Sequence, residues 1–535
     1  MTRQEARVRG FGPDPDGHDE PGRTTAGRKR DWRRLARVAG IAAAFSALGV
    51  ASSVLRAPDR MFLRFVAMDS GAELAIQDLI GRGSRPGVDF GYPYGLLPLL
   101  AGRLWYGLLG RSPGAFHGLT LAFLALSCWG LARFATARGV GLAGLVLIAL
   151  AMPDLSYVTG LTSTHVLEQA LLVLALAEQA RGKRGSALAL LAACCFVKPS
   201  LAFVQGFVVL IAAASASRVN RTALSRVIAL PAITAFALGA ILALAFGPRS
   251  LARTISPATG ASIYRLNDFG FFHGRGRDFW NLPDAGPFDY FRYEVGFWML
   301  GTAILAGGGL AAGLRLARRV EGAEAARDDE LVATCAAVHL AFVTLLFGHR
   351  VTWVYSLPML VLGLALLANR GPRHRLLVWA LAGLLLVNDR SKLIAARMLR
   401  EELAPSPSTR DLWASPRERE EWARALELSR GERPVLLAMS EGGAVLFPGF
   451  APPTVAYLYP GCPTPEEVRR KAEQLSGARV VISFYPPDWE GFALWPRIGD
   501  ALDGLEPVFE GQALRVYRRG HPGQLGPAGP TPPAP

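Results

Sequence analysis

Asp69 and Glu73 lie four residues apart in MDSGAEL, just beyond the first long apolar run of this chain. On a helix that spacing puts both carboxylates on one face. A partly desolvated carboxylate at a membrane interface can take the proton of an acceptor hydroxyl as a general base; a solvated loop pair is the ordinary alternative. Asp89 follows in GRGSRPGVDFGYPYGLLPLL, whose Gly, Pro and aromatic content suits an ordered loop, and Asp154 in MPDLSY is a second outer carboxylate. His165 and Glu168 stand one turn apart at the start of a later apolar run, where such groups are also common as helix-end structure. Lys198 interrupts the apolar stretch CCFVKPSLAF. A lysine at that depth needs a partner anion, and a lipid-linked phosphate would serve; snorkelling to headgroups is the plain alternative. Residues 247–293 add Tyr264, Arg265, Asp268, His273, Arg275, Arg277 and Asp278, a mixture suited to an acceptor or phosphate, and equally to a lipid surface.

The elements that must position these groups are apolar helices. Of 535 residues, 51% are hydrophobic and 19% charged, with mean hydropathy +0.26, too apolar for a soluble protein of two or three domains. The net charge of +15 comes largely from Arg between apolar runs, as cytoplasmic loops require, and implies membrane lipids rather than nucleic acid as the partner. Cys128, Cys194, Cys195 and Cys335 lie in apolar runs and Cys462 stands alone, so neither a disulfide framework nor a zinc spacing is present.

Spans of about 20 apolar residues are expected at 35–55, 114–134, 139–153, 164–180, 227–246, 294–314, 331–347, 351–368 and 376–388. The stretch 186–214 is flanked by basic loops at both ends and broken at Lys198-Pro199, which predicts a hairpin with arms of roughly 18 to 24 Å and Lys198 at its tip. The result is about eleven spans with every basic loop on one side. Tyr94 to Leu109 is assigned to the outer interface, where its prolines, Arg103, Trp105 and Tyr106 suit headgroup depth. Residues 1–34 form a basic cytoplasmic tail without expected order, 35–390 the transmembrane domain with outer loops 56–113 and 247–293, 391–520 an extracytoplasmic α/β domain, and 521–535 a Pro/Gly tail expected to be disordered. Two capping boxes, Ser415-Pro416-Arg417-Glu418 and Thr464-Pro465-Glu466-Glu467, predict helices closed at Gly431 and Gly477. Each is followed by a strand, Pro434 to Met439 and Arg479 to Phe484, and a hairpin is expected between Val508 and Tyr517.

The segment MDSGAELAIQDLIGRGSRPGVDFGYPYGLLPLL resembles the first outer loop of the GT-C superfamily of membrane glycosyltransferases, the group that includes protein O-mannosyltransferases and lipid A aminoarabinose transferases. CCFVKPSLAF resembles their mid-chain Lys-Pro element. The resemblance covers residues 35 to 390 and implies an α-helical polytopic membrane protein. It further implies inverting transfer of a sugar from a polyprenyl-phosphate donor to a lipid, glycan or protein acceptor at the outer face of the cytoplasmic membrane. Asp69 matches the acidic position proposed as base; the family's frequent Asp-Glu doublet is Asp-Ser here, with Glu73 a turn later. Lys198 matches the Lys-Pro element, and a phosphate contact is our inference for it. No cofactor is specified; a divalent cation is compatible. Asp14-Pro15-Asp16 mimics a metal motif but lies in the cytoplasmic tail, and no P-loop, GxSxG or HExxH pattern occurs. The competing expectations are a transporter or flippase for a lipid-linked glycan, against which the absence of internal repeats counts, and an inactive scaffold of the same architecture.

Overall fold

A computed structural model describes residues 25–56, 61–216, 221–255, 269–270, 273–274, 295–318, 323–341, 355–387, 400, 402–459, 461–485 and 491–520. The chain is mostly helical with a small sheet. Its first part comprises α1 (Thr25–Arg56), α2 (Met61–Ala67), α3 (Asp69–Gly81), α4 (Leu97–Leu109), α5 (Pro113–Ala137), α6 (Leu142–Leu155), α7 (Ser163–Ala180), α8 (Arg184–Cys195), α9 (Pro199–Ala216), α10 (Arg221–Phe246) and α11 (Pro248–Thr254). The two-residue strands β1 (Phe269–Gly270) and β2 (His273–Gly274) pair antiparallel. After them come α12 (Val295–Arg318), α13 (Ala323–Leu340), α14 (Leu357–Leu367) and α15 (Pro372–Val387).

Within the described residues every apolar run named above overlaps a helix; 342–347, 351–354 and the single positions 294 and 388 lie outside the described residues. By length and hydropathy, four described stretches are able to cross a membrane: Trp32–Leu55, Pro113–Ala137, Leu142–Gly160 and Val227–Phe246. Shorter apolar helices lie at Arg184–Cys195, Leu201–Ile211, Leu300–Leu316 and Leu357–Arg370. Helix α7 belongs to neither set, because His165, Glu168, Gln169, Glu178 and Gln179 interrupt it. All five are buried, and α5 and α8 cover them. At the other extreme, Phe236 and Leu244 of α10 are 80% and 88% exposed, an apolar exterior that needs lipid or another apolar cover. Helix α1 begins at Thr25, ahead of the expected boundary at 35, so the basic RKRDWRRLAR stretch is helical rather than tail. Long Arg and Lys side chains are good helix formers, and they extend the apolar helix with little penalty.

The expected hairpin is present as α8 and α9, broken at Phe196-Val197-Lys198. At the other end of the bundle, Asp328, Asp329 and Glu330 of α13 gather arginines from four helix ends: Arg138 just past α5 pairs with Asp328, Arg315 (3.2 Å) in the last turn of α12 and Arg370 after α14 with Asp329, and Arg184 at the start of α8 with Glu330 (3.2 Å). Four of the basic segments expected on one side therefore meet at one end.

The C-terminal part holds α16 (Pro416–Leu428), β3 (Val435–Leu437), α17 (Gly442–Leu446), α18 (Pro465–Ser476), β4 (Val480–Ser483), α19 (Gly491–Leu494), α20 (Pro496–Asp500), β5 (Leu505–Glu510) and β6 (Arg515–Arg519). Sheet order is β3-β4-β6-β5, with β3 parallel to β4 and the rest antiparallel. Both capping boxes form as expected. Gly431 takes the left-handed φ of 84° expected after a helix, whereas Gly477 stays right-handed at φ −85°. The hairpin is wider than expected, beginning at Leu505, and its pairing carries an irregularity between Pro507 and Phe509.

This α/β unit shares its core with the loop after α1. Phe62, Phe65, Leu74 and Phe116 pack in one cluster with Trp422, Leu436, Leu446 and Ile482, and Phe62 meets Trp422 edge-on at 5.3 Å. Ser440 hydrogen-bonds the carbonyls of Ala67 (3.0 Å) and Met68 (2.5 Å) through its N–H and hydroxyl. Gly71 and Gly442 touch backbone to backbone, so neither admits a Cβ.

Candidate functional site

Met68 is extended and Asp69 opens α3, which places its side chain at a helix N-terminus where a negative charge is favoured. Asp69 keeps partial solvent access. Burial raises its carboxyl above the ordinary aspartate range, and the Arg64 guanidinium pulls it back. Among the described residues no hydrogen bond reaches this carboxylate, so its oxygens are available to a ligand.

Glu73, one turn on, is 5% exposed and has both oxygens engaged. Oε1 accepts from the Tyr106 hydroxyl at 2.9 Å and Oε2 from the Ser163 N–H at 2.8 Å. Because Ser163 is the first residue of α7, Glu73 satisfies one of the donors that helix start leaves open. Burial raises its pKa and these bonds oppose the rise. The two carboxylates therefore differ in kind, one open and one holding structure. Both act on Tyr457 of the C-terminal unit, whose hydroxyl is pushed well above the usual tyrosine range by burial first and then by Asp69.

The start of α7 also carries the second group. His165 stacks on Tyr355 with ring centroids 4.2 Å apart and meets Tyr94 edge-on at 5.3 Å. Both phenol oxygens lie within reach of its Nε2, Tyr355 at 3.2 Å and Tyr94 at 3.4 Å. Lys198 is 6% exposed; its Nζ lies 3.8 Å from Glu168 Oε2 and 4.2 Å from the centre of the Tyr355 ring. An internal carboxylate thus answers part of the charge for which the sequence suggested a phosphate. Among the described residues, Thr162 Oγ1, His165 Nδ1 and Glu168 Oε1 are buried without a hydrogen bond. Buried polar atoms ordinarily have partners, so this cluster is disposed to accept one.

The segment Gly91-Tyr92-Pro93-Tyr94-Gly95 joins the two groups. Gly91 donates its N–H to Glu467 Oε2 at 2.6 Å, Tyr92 meets Thr164 at 3.4 Å, and Gly95 and Leu97 donate to the carbonyls of Val197 (2.9 Å) and Phe196 (3.0 Å). A Cβ at Gly95 would collide with the Phe196 carbonyl, and one at Gly91 with that of Cys462. The GRGSRPGVDFGYPYGLLPLL loop and the Lys-Pro element, named separately in the sequence, are thus paired in space. Burial drives the Glu467 carboxyl up to about 7 against the N–H groups of Thr464, Gly91 and Ala456 that hold it down.

Asp69, Glu73, His165, Glu168 and Lys198 therefore gather around the start of α7. Asp89 does not join them. It turns onto Arg85 at 3.0 Å, which holds its carboxyl below the ordinary range, while its carbonyl accepts from Arg470 at 2.6 Å. Asp154 is 6% exposed at the end of α6, before the turn whose Gly160 carbonyl accepts from Arg64 (3.1 Å) and Ser70 (3.2 Å). Arg265 lies outside the described residues, as do Tyr264, Asp268, Arg275, Arg277 and Asp278; His273 is described only as backbone in β2. Nothing in the sequence marks Tyr355 or Tyr457 for the site, and Tyr94 and Tyr106 read there only as parts of an interfacial segment, since a lone tyrosine in an apolar stretch reads as an interfacial or core residue. Among the described residues no group of three or more His, Cys, Asp or Glu is placed to hold a metal ion.

No family model matches the chain, and neither a curated protein nor a solved structure matches it.

Proposed function

We propose that the chain is an integral membrane glycosyltransferase that moves a sugar from a polyprenyl-phosphate donor to an acceptor at the outer membrane face. The observation that carries the reading is that two groups meet at the start of α7: Glu73, one turn from the open carboxylate of Asp69, accepts from the Ser163 N–H, and the buried Lys198 lies beside Glu168 of the same helix. In such a transfer the acceptor hydroxyl loses a proton as it attacks the anomeric carbon, and the lipid phosphate leaves with its negative charge. Asp69 accepts the proton. Lys198 is the cation for the departing phosphate, and the buried polar atoms of Thr162, His165 and Glu168 are donors and acceptors for sugar hydroxyls. Glu73 and Tyr106 position the start of α7 between the two. Incubation of the purified chain with radiolabelled polyprenyl-phosphate sugars and a membrane extract tests this; failure to move label across a broad donor panel, with no donor binding, contradicts it.

One observation favours a second reading, an inactive scaffold of the same architecture. Glu168 stands 3.8 Å from Lys198, as it would if the lysine served only to neutralise a buried acid. A flippase for a lipid-linked glycan would use the same groups for binding without bond cleavage, and binding without transfer distinguishes it.

A further inference from the structure

At the arginine-rich end of the bundle, away from the candidate site, a cavity of about 310 Å³ opens between α1, α5 and the end of α7. Its lining is Arg34, Leu35 and Val38 of α1, Trp129, Arg133 and Thr136 of α5, and Arg181 just past α7. Arg133 and Arg181 both grip Glu178, the latter at 3.0 Å. Glu178 fixes the two guanidinium groups but balances only one of them. Arg34 is exposed and carries no ion pair among the described residues. Three guanidinium groups against one carboxylate leave an unbalanced positive rim over an apolar floor, where Val38 and Trp129 pack with Ala42 and Ala132.

The position of this cavity is informative. It lies at the first turn of Trp32–Leu55 and the last turns of Pro113–Ala137, two of the stretches long and apolar enough to cross a membrane. If those helices span, the rim is at headgroup depth and the floor at the top of the acyl chains. Arginine forks match phosphate oxygens, and basic pockets between membrane helices suit anionic lipid headgroups. We infer that this cavity holds the headgroup of an anionic phospholipid from the surrounding bilayer. Arg34, Arg133 and Arg181 contact its phosphodiester, and Trp129, Leu35 and Val38 lie along the first part of its chains. The inference stands independently of the glycosyltransferase reading.

Native mass spectrometry of the purified full chain tests it, after incubation with phosphatidylglycerol or phosphatidylcholine micelles or with inorganic phosphate alone. Phosphatidylglycerol is expected to be retained preferentially, one molecule per chain, with Arg34→Ala lowering retention about fivefold, the worth of one arginine at a charged surface. Arg34 is exposed, so its removal leaves the core intact. Arg249→Ala, an exposed arginine at the start of α11, is expected to change nothing. Equal retention of phosphatidylcholine, equal retention in the Arg34 and Arg249 variants, or displacement of the lipid by inorganic phosphate at matching concentration would each overturn the inference.

Discussion

Gly95 donates its backbone N–H to the carbonyl of Val197 at 2.9 Å, which fixes the loop carrying Tyr92 and Tyr94 against the hairpin break that carries Lys198. Because the contact is backbone on backbone, only glycine fits at 95.

Gly95→Ala is therefore expected to destabilise the chain by about 1–3 kcal/mol, the usual cost of forcing a methyl into a packed contact. Gly107→Ala is the control. That glycine lies within α4 with nothing near its missing Cβ, so alanine there should be neutral or stabilising, by about 0.5–1 kcal/mol. Thermal melts in detergent compare the two; equal melts would mean that the 95–197 contact is not maintained.

Glu73 and Asp69 should separate in their effects. Glu73→Gln weakens the bonds to Ser163 and Tyr106 and is expected to cost about 1–3 kcal/mol of stability while leaving measurable transfer. Loss of transfer with unchanged stability would instead put Glu73 in the chemistry.

Lys198 and Glu168 can be resolved by a double-mutant cycle. If Lys198 binds the donor phosphate, Lys198→Ala raises the apparent donor KM, and adding Glu168→Gln does not restore it. If the pair is purely structural, the single variants lose stability, the double recovers it, and donor KM stays fixed in whatever folds.

The acid limb of the rate profile reports Asp69. Its carboxyl is raised by burial and lowered by Arg64, and a base must be ionised, so the rate should fall with decreasing pH at a point above the ordinary aspartate value of 3.8. Arg64→Gln removes the opposing cation, raises the pKa further and should move the limb to higher pH. A limb that stays in place would separate it from Asp69.

Local signals were well represented in the sequence. The capping boxes at Ser415 and Thr464 are complete within four residues, and the hairpin break needs only Lys198-Pro199 and its basic flanks. Convergence over long separations was not. Nothing near Tyr355 or Tyr457 indicates that one stacks on His165 and the other lies by Asp69, since those contacts depend on how distant elements pack. Asp89 shows the opposite error. An aspartate in an ordered loop has the composition of a ligand, but Arg85, four residues before it, was close enough to claim it. Asp69 and Glu73 looked equivalent by spacing, and only the arrival of Ser163 and Tyr106 distinguishes them.

The central claim is tested most directly by transfer of radiolabel from polyprenyl-phosphate sugars to a membrane extract, comparing wild type with Asp69→Asn at matched expression and melting temperature. The account predicts label transferred by wild type and none by the variant; near-normal turnover in Asp69→Asn would remove Asp69 from the mechanism and contradict it.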